Sequence, residues 1–359
     1  MKYPTPEVGG LARRAAAQVA VVLVALIAAS PWAPVEAAGA VNLKPTGARL
    51  ILLGTGGGPI ARKFSSQPAN LLTVDGSDYL IDAGDGVLRQ LAWADTSVTS
   101  LKAVFLTHHH LDHTAGLGSV IAFRWIAAMA GAAMPQLQIL GPPGTTELSQ
   151  AALRYFAVSE GIFRTEAPTA PAMATLIASH DVSEGLIYRD NNIAVTAVQN
   201  SHYSTVAMPA TPHGFDRSYS LRFDTKYGSI VFTGDTGPSE ALARLAEGSD
   251  ILVSEVMNVP AMTAYLRARA NLPDATLKNL IAHMEREHMP PEQLGILASG
   301  AHVKRVILTH YGTPGEVGKN SSFYLTGIRK NYGGVIVVGH DLSQLKLTQV
   351  CRPAHGRCS

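Results

Sequence analysis

Cysteine is almost absent from this chain. Two occur in 359 residues, Cys351 and Cys358, both at the extreme C-terminus. Nothing beside them resembles a thiol site, so neither is catalytic. In an exported chain the pair is expected to form a disulfide that pins the tail. Charge of one sign is lacking too: 29 Lys and Arg stand against 27 Asp and Glu, and charged residues make up 16% of the whole. No acidic or basic tail, low-complexity block or solenoid repeat is evident, which excludes a disordered or repeat architecture. Long apolar runs are missing as well. The most pronounced, Val19–Ser30, is short for a membrane span of about 20 residues. It follows Lys2, Arg13 and Arg14 and precedes "VEAAGA" at 35–40. That order predicts a signal peptide over residues 1–40, cleaved near Ala37 or Ala40, and a secreted or periplasmic protein with no membrane attachment afterwards. The residues after Arg13-Arg14 lack the bulky apolar positions of a twin-arginine signal, so the export route stays open. Without residues 1–37 the chain keeps 26 basic and 25 acidic residues, a balance that gives no strong nucleic-acid signal.

What is present is a hydrophobic fraction of 47%, with 33 glycines and 21 prolines spread along the chain. Length and composition suit a large globular unit, and no linker divides it, so residues 41–359 are read as one domain. Short β-branched and apolar runs predict strands at 49–54, 70–74, 79–83, 103–107, 137–141, 193–198, 219–223, 229–234, 250–255, 305–310 and 335–339. Helical patterns lie around 86–95, 114–130, 144–156, 238–247, 260–288 and 290–301. Many strands are apolar on both faces, which implies sheets covered by helices in a layered α/β fold.

The chemistry gathers in "LTHHHLDHTAG" at 106–116, where His108–His113 holds four histidines and an aspartate. At a strand end residues two apart point the same way, so His108 and His110 can share one target while His109 faces elsewhere. Asp112 and His113 fall in the turn that opens the next helix and can reach a second target. Imidazoles with a carboxylate form a natural shell for a divalent metal such as zinc. Three more strand ends offer ligands: His202 in "QNSHYS", Asp235 in "FTGDTG" and His310 in "ILTHYG".

With Asp82 in "LIDAGDG", these motifs resemble a metallo-β-lactamase-fold hydrolase over roughly residues 48–345. "LGTGGGP" at 53–59 and "GPPG" at 141–144 resemble its ribonuclease Z-like and arylsulfatase-like branch. The resemblance implies a four-layer αββα sandwich with two metals where the sheets meet. It implies that His108, His110 and His202 hold the first metal, that Asp112, His113 and His310 hold the second, and that Asp235 bridges them. Asp82 would steady the site. Zinc is the expected metal, though manganese and iron accept the same ligands. Two close cations lower the pKa of a shared water, so a bridging hydroxide would attack the ester. Asp112 is read as acting in catalysis besides holding metal. His288, in "HMEREHMPPEQ", resembles the histidine that assists the leaving group, or else is a structural helix-start residue. His283, five residues earlier, lies about 140° away around a regular helix and is not expected to face the same metal.

The expected reaction is hydrolysis of a small anionic ester, a phosphodiester or aryl sulfate. A lactonase or other carboxylic-ester hydrolase is the alternative on the same cage, with Tyr203 placed to orient a carbonyl. A ribonuclease Z-type endonuclease and a non-catalytic metal scaffold stand further off. Residues 144–200, where an RNA-gripping arm might be inserted, carry Arg154, Arg164 and Arg189 against six acidic residues, the wrong balance for a polyanion. Arg62, Lys63, Ser65 and Ser66 either meet an anionic ester or are solvated loop residues. Met257, Met262, Tyr265 and Leu266 either cap the metal site or pack a peripheral helix. A homodimer is compatible with this reading, but no stretch marks an interface.

Overall fold

A computed structural model describes residues 46–347, apart from 206, 270 and 316–320. The expected signal peptide with its cleavage site, and Cys351 and Cys358, lie outside the described residues. Among those described, no helix is long and apolar enough to cross a membrane.

Two seven-stranded sheets face each other. The first runs β14-β1-β2-β3-β4-β5-β6 and the second β13-β12-β11-β10-β9-β8-β7. In the first, β1 (Ala48–Gly54), β2 (Ala69–Val74) and β3 (Ser77–Ile81) form an antiparallel meander, with β14 (Gln344–Leu347) on its edge. β4 (Leu101–Phe105), β5 (Leu137–Gly141) and β6 (Ile177–Asp181) then continue in parallel. The second sheet repeats the plan. β7 (Gly185–Arg189), β8 (Ile193–Gln199), β9 (Tyr219–Thr225) and β10 (Gly228–Phe232) are antiparallel. β11 (Ile251–Met257), β12 (Arg305–Gly312) and β13 (Val335–Val338) are parallel.

Strand periodicity divides the apolar residues between three cores. Leu50, Leu52, Phe105, Phe223 and Val253 meet between the sheets. Ile51, Leu53, Leu80 and Val104 turn outward onto α1 (Val87–Trp93) and α3 (Leu117–Met129), where Trp125 is buried. On the far side Val231, Leu252 and Val306 pack against α5 (Glu240–Ala246), α8 (Pro291–Gly300) and α9 (Ser321–Arg329). Helix, sheet, sheet, helix is the expected αββα sandwich.

Several local expectations need correction. The helix expected at 114–130 is two, α2 (Leu111–Thr114) and α3, parted at Gly116. The helix expected at 144–156 runs on as α4 (Thr145–Glu166). The one expected at 260–288 is broken into α6 (Val259–Arg269) and α7 (Asp274–Glu287), since Pro273 cannot continue a helix. β6, β7, β14 and α9 were not anticipated. The stretch 144–200 supplies α4, β6, β7 and β8 to the sandwich.

Candidate metal centre

Every expected ligand leaves the same end of the two sheets. His108 and His110 follow β4, and α2 carries Asp112 and His113. His202 follows β8, Asp235 follows β10, and His310 lies within β12. Most are buried: His108 and His202 are fully enclosed, and Asp112, His113, Asp235 and His310 are nearly so. His110 is exposed.

The donors converge in two sets. His110 Nδ1 lies 3.1 Å from both His108 Nε2 and His202 Nε2. Asp235 Oδ2 is 4.0 Å from His108 Nε2 and 3.9 Å from His202 Nε2. On its other side Asp235 Oδ1 is 3.2 Å from His113 Nε2 and 3.0 Å from His310 Nε2. Asp112 Oδ2 lies 3.7 Å and 3.5 Å from the same two nitrogens. A tetrahedral zinc with Zn–N of about 2.0–2.1 Å sets its ligands about 3.3 Å apart, close to these spacings. Each carboxylate oxygen of Asp235 thus serves a different set.

The atoms left over also fit a cation. His113 Nε2, His310 Nε2 and Asp235 Oδ1 are buried without a hydrogen-bond partner, a costly state unless something coordinates them. Two of the imidazoles are held from outside. His113 Nδ1–H donates to Asp82 Oδ2 at 2.9 Å, and His202 Nδ1–H donates to the Glu287 carbonyl at 3.1 Å. These bonds turn both Nε2 lone pairs inward. Asp82 also accepts the Thr107 N–H at 2.8 Å. Electrostatics agree. Burial works against charge on His310, but Asp235 and Asp112 overcome it and push that imidazole up to about 10. Burial likewise opposes a charged Asp112, yet His113 and His310 hold its carboxyl down at about 2. The pocket is arranged for positive charge between its carboxylates.

Two backbone features hold these side chains in place. Asp82 and His310 have φ of 59° and 41°, a left-handed conformation that non-glycine residues adopt rarely and mostly at functional sites. The β11–β12 register slips between Ser254 and Val256, which admits an extra residue beside His310.

His288 reaches the same cavity, but not from a helix start. It follows α7 in extended backbone, φ −125° and ψ 165°, and is buried with its Nδ1–H donated to Glu255 Oε2 at 2.8 Å. Glu255 Oε1 accepts the Thr236 N–H at 2.5 Å. Burial raises the Glu255 carboxyl, and Glu255 in turn raises His288 against its own burial. His283 and His288 were expected to diverge on a regular helix, but they do not share one, because α7 stops at Glu287. The two rings approach to 5.2 Å between centroids, and His202, His283 and His288 form a third cluster. His109 does face elsewhere, its Nε2 2.9 Å from Thr145 Oγ1. Tyr203 packs its ring 5.1 Å from His202 and 5.4 Å from His110. Glu255 and Glu287 went unnoticed in the sequence. Glu255 ends the run "DILVSE" and carried the same strand-end signal that marked Asp235.

A cavity of about 410 Å³ opens above the ligands, with His110, Asp112, Asp235, His283, His288 and His310 among its lining residues. Its walls are apolar: Ile60 contributes, as do Met257, Met262, Leu266, Leu280 and Met284. Met257, Met262 and Leu266 therefore cap the site, while Tyr265 turns to Arg269. Of Arg62, Lys63, Ser65 and Ser66, Arg62 lines the cavity, and its guanidinium donates to the carbonyls of Gly57, Thr313 and Gly315.

Comparison with known proteins bears on this geometry. Residues 78–311 match the model of the beta-lactamase superfamily domain. A ribonuclease Z of Mycobacterium marinum is 28% identical over 298 residues, covering 83% of this chain and 98% of that protein. The metallo-beta-lactamase fold protein YhfI from Bacillus subtilis superposes with a TM-score of 0.57 at 16% identity, over 84% of this chain and 99% of that one. A diphosphatase from the PhnP family gives 0.55 at 17% identity, over 84% and 100%. At such identities the two structures speak for the fold alone.

Proposed function

Since this chain belongs to the beta-lactamase superfamily and is a metal-dependent hydrolase, we propose that it hydrolyses small anionic esters, phosphodiesters or aryl sulfates, with two zinc ions. The observation that carries this reading is the pair of donor sets sharing Asp235 beneath an apolar-walled cavity. His108, His110, His202 and Asp235 would hold one ion, and Asp112, His113, His310 and Asp235 the other. When bound, the ions supply an acidified water and positive charge against the developing negative charge of the ester.

The chain's own groups do the rest. Asp112 lines the cavity, and its carboxylate takes the proton of the attacking water. His288 keeps Nδ1–H on Glu255, which leaves Nε2 to protonate the leaving-group oxygen. Glu255 and Asp82 are positioning residues, one for His288 and one for His113. The apolar walls exclude water and receive the organic part of the substrate. Residues 1–40 support reading the protein as exported, and N-terminal sequencing of the mature protein checks it.

A ribonuclease Z-type endonuclease is the second reading, favoured by the mycobacterial relative. The cavity walls weigh against it. Among the described lining residues Arg62 is the sole lysine or arginine, and it binds backbone carbonyls, whereas a polyanion calls for a basic track. The experiment is hydrolysis of a bis(aryl) phosphate, an aryl sulfate, an aryl acetate and a lactone with matched leaving groups, beside a precursor tRNA. A preference of about a hundredfold, about 2.7 kcal/mol in the barrier, for phosphate or sulfate is expected. Faster cleavage of the tRNA, or an equal preference for acetate or lactone, overturns the proposal.

A further inference from the structure

Two histidine–carboxylate pairs face the cavity, and the reading above employs one of them. The other is His283 with Glu287. His283 Nδ1–H donates to Glu287 Oε2 at 2.5 Å. Glu287 is fully buried, and its Oε1 accepts the Thr205 N–H at 2.7 Å together with the Thr205 hydroxyl. The main-chain carbonyl of the same Glu287 accepts His202 Nδ1–H at 3.1 Å. One residue therefore orients both a ligand imidazole and a cavity imidazole. Such an anchored carboxylate fixes a ring's rotation, and it leaves Nε2 of His283 as the nitrogen turned toward the cavity.

His283 stands on the side of the first donor set. Its ring centroid is 5.3 Å from that of His202 and 5.2 Å from that of His288. The three rings each bring a nitrogen within 4.8 Å of the others, but they do not suit a third metal. His202 has Nδ1 engaged by Glu287 and Nε2 turned toward His110 Nδ1. What remains is a pair of imidazoles, His283 and His288, each backed by a buried carboxylate and flanking a cation cage. Two N–H donors beside two cations suit an oxyanion with several terminal oxygens.

We propose that His283 is a substrate-binding residue that, as the imidazolium, keeps Nδ1–H on Glu287 and donates Nε2–H to a non-bridging oxygen of a tetrahedral phosphoryl or sulfuryl group, with Glu287 as its positioning residue. His288 serves the leaving-group oxygen, so the second donor has work only where the reacting centre carries further oxygens. A phosphodiester or aryl sulfate has them. A carboxylic ester has a single carbonyl oxygen, which the cage itself engages. His283 thereby selects among ester classes at one cage. The inference rests on reading this cavity as the site of ester hydrolysis.

The test uses the full, metal-loaded chain as wild type, His283→Ala and His283→Gln, with metal content measured for each. The readouts are affinity for inorganic phosphate and the kcat and KM for bis(p-nitrophenyl) phosphate and p-nitrophenyl acetate. A hydrogen bond to an anion makes a loss of about tenfold reasonable. His283→Ala is expected to weaken phosphate and raise the diester KM by about tenfold with metal content intact. Its kcat should stay within about threefold and its acetate KM within about twofold. The Gln variant, which keeps an N–H donor, should recover most of the loss. Phosphate affinity within twofold of wild type in His283→Ala, equal shifts for diester and acetate, or loss of metal in that variant each overturns the inference. A wild type that cleaves acetate and not the diester contradicts the proposed function instead, and phosphate affinity still decides the role of His283.

Discussion

Gly57 passes so close to His310 that a β-carbon there would sit 2.6 Å from the imidazole Nδ1. His310 cannot retreat, because its backbone is already held at φ 41° in the register slip of β12. Gly57→Ala should therefore displace a proposed ligand, lowering bound metal and cutting hydrolysis by about a hundredfold; metal quantification beside initial rates checks it. Asp82→Asn acts one bond further out, because an amide has one acceptor oxygen and cannot accept both the Thr107 N–H and His113 Nδ1–H. Metal affinity should fall by about 10–100-fold, read by competition with a chromophoric chelator, while the fold persists. A third residue bears on stability alone. Asp75 lies at the β2–β3 turn, where the hydrogen bond from Lys226 Nζ comes first, ahead of those from Tyr227 and the Gly47 N–H, in lowering its carboxyl from 3.8 to about 2. A carboxyl lowered on folding stabilises fully above its unfolded pKa of 3.8 and loses that stabilisation as pH falls through about 2. Asp75→Asn should cost about 1 kcal/mol at neutral pH, and thermal melts of the two proteins should draw together below about pH 3.8 and converge as pH falls through about 2.

At the scale of elements, the site was legible wherever an apolar strand ended in a polar residue. β4, β10 and β12 are buried through most of their length and β8 alternates buried with half-buried residues, so their runs stood out and their ends pointed to His108, His202, Asp235 and His310. β6 and β7 were not legible because they are edge strands: "IASHD" and "GLIYR" expose much of their length and lose the alternation that marks a half-buried strand. His283 was missed for a different reason. Helical geometry was carried through to residue 288, whereas α7 ends at Glu287 and extended backbone swings His288 back beside it. The break at Pro273 was readable and would have separated α6 from α7. These two helices roof the cavity with Met262, Leu266, Leu280 and Met284. Met284→Lys sets an ammonium in that apolar wall, and the KM for an aryl phosphodiester should rise by about tenfold. Steady-state kinetics against a methyl and an aryl ester separates this loss of apolar binding from damage to the cage.

For the whole molecule, the fold explains why so many ligands from distant sequence meet. Each sheet follows an antiparallel meander with parallel strands, and the loops after those strands gather along one edge of the sandwich, as in open α/β sheets generally. The three cores hold the sheets rigid, so the cage is set by packing. The composition set the layered class, and the histidine spacing set the chemistry. The pairing of Glu255 with His288 needed three dimensions, because the two lie 33 residues apart and no local pattern joins them, whereas Glu287 stands four residues from His283 on one helix and was readable as a local pair. The proposed hydrolysis depends on two ions held around Asp235. Its most direct test is titration of zinc into the chelator-stripped protein, with bis(p-nitrophenyl) phosphate turnover followed at each addition. Turnover is expected to be negligible without metal and to climb to a break at two equivalents. Full turnover at one equivalent, or a fully loaded protein without turnover, would contradict it.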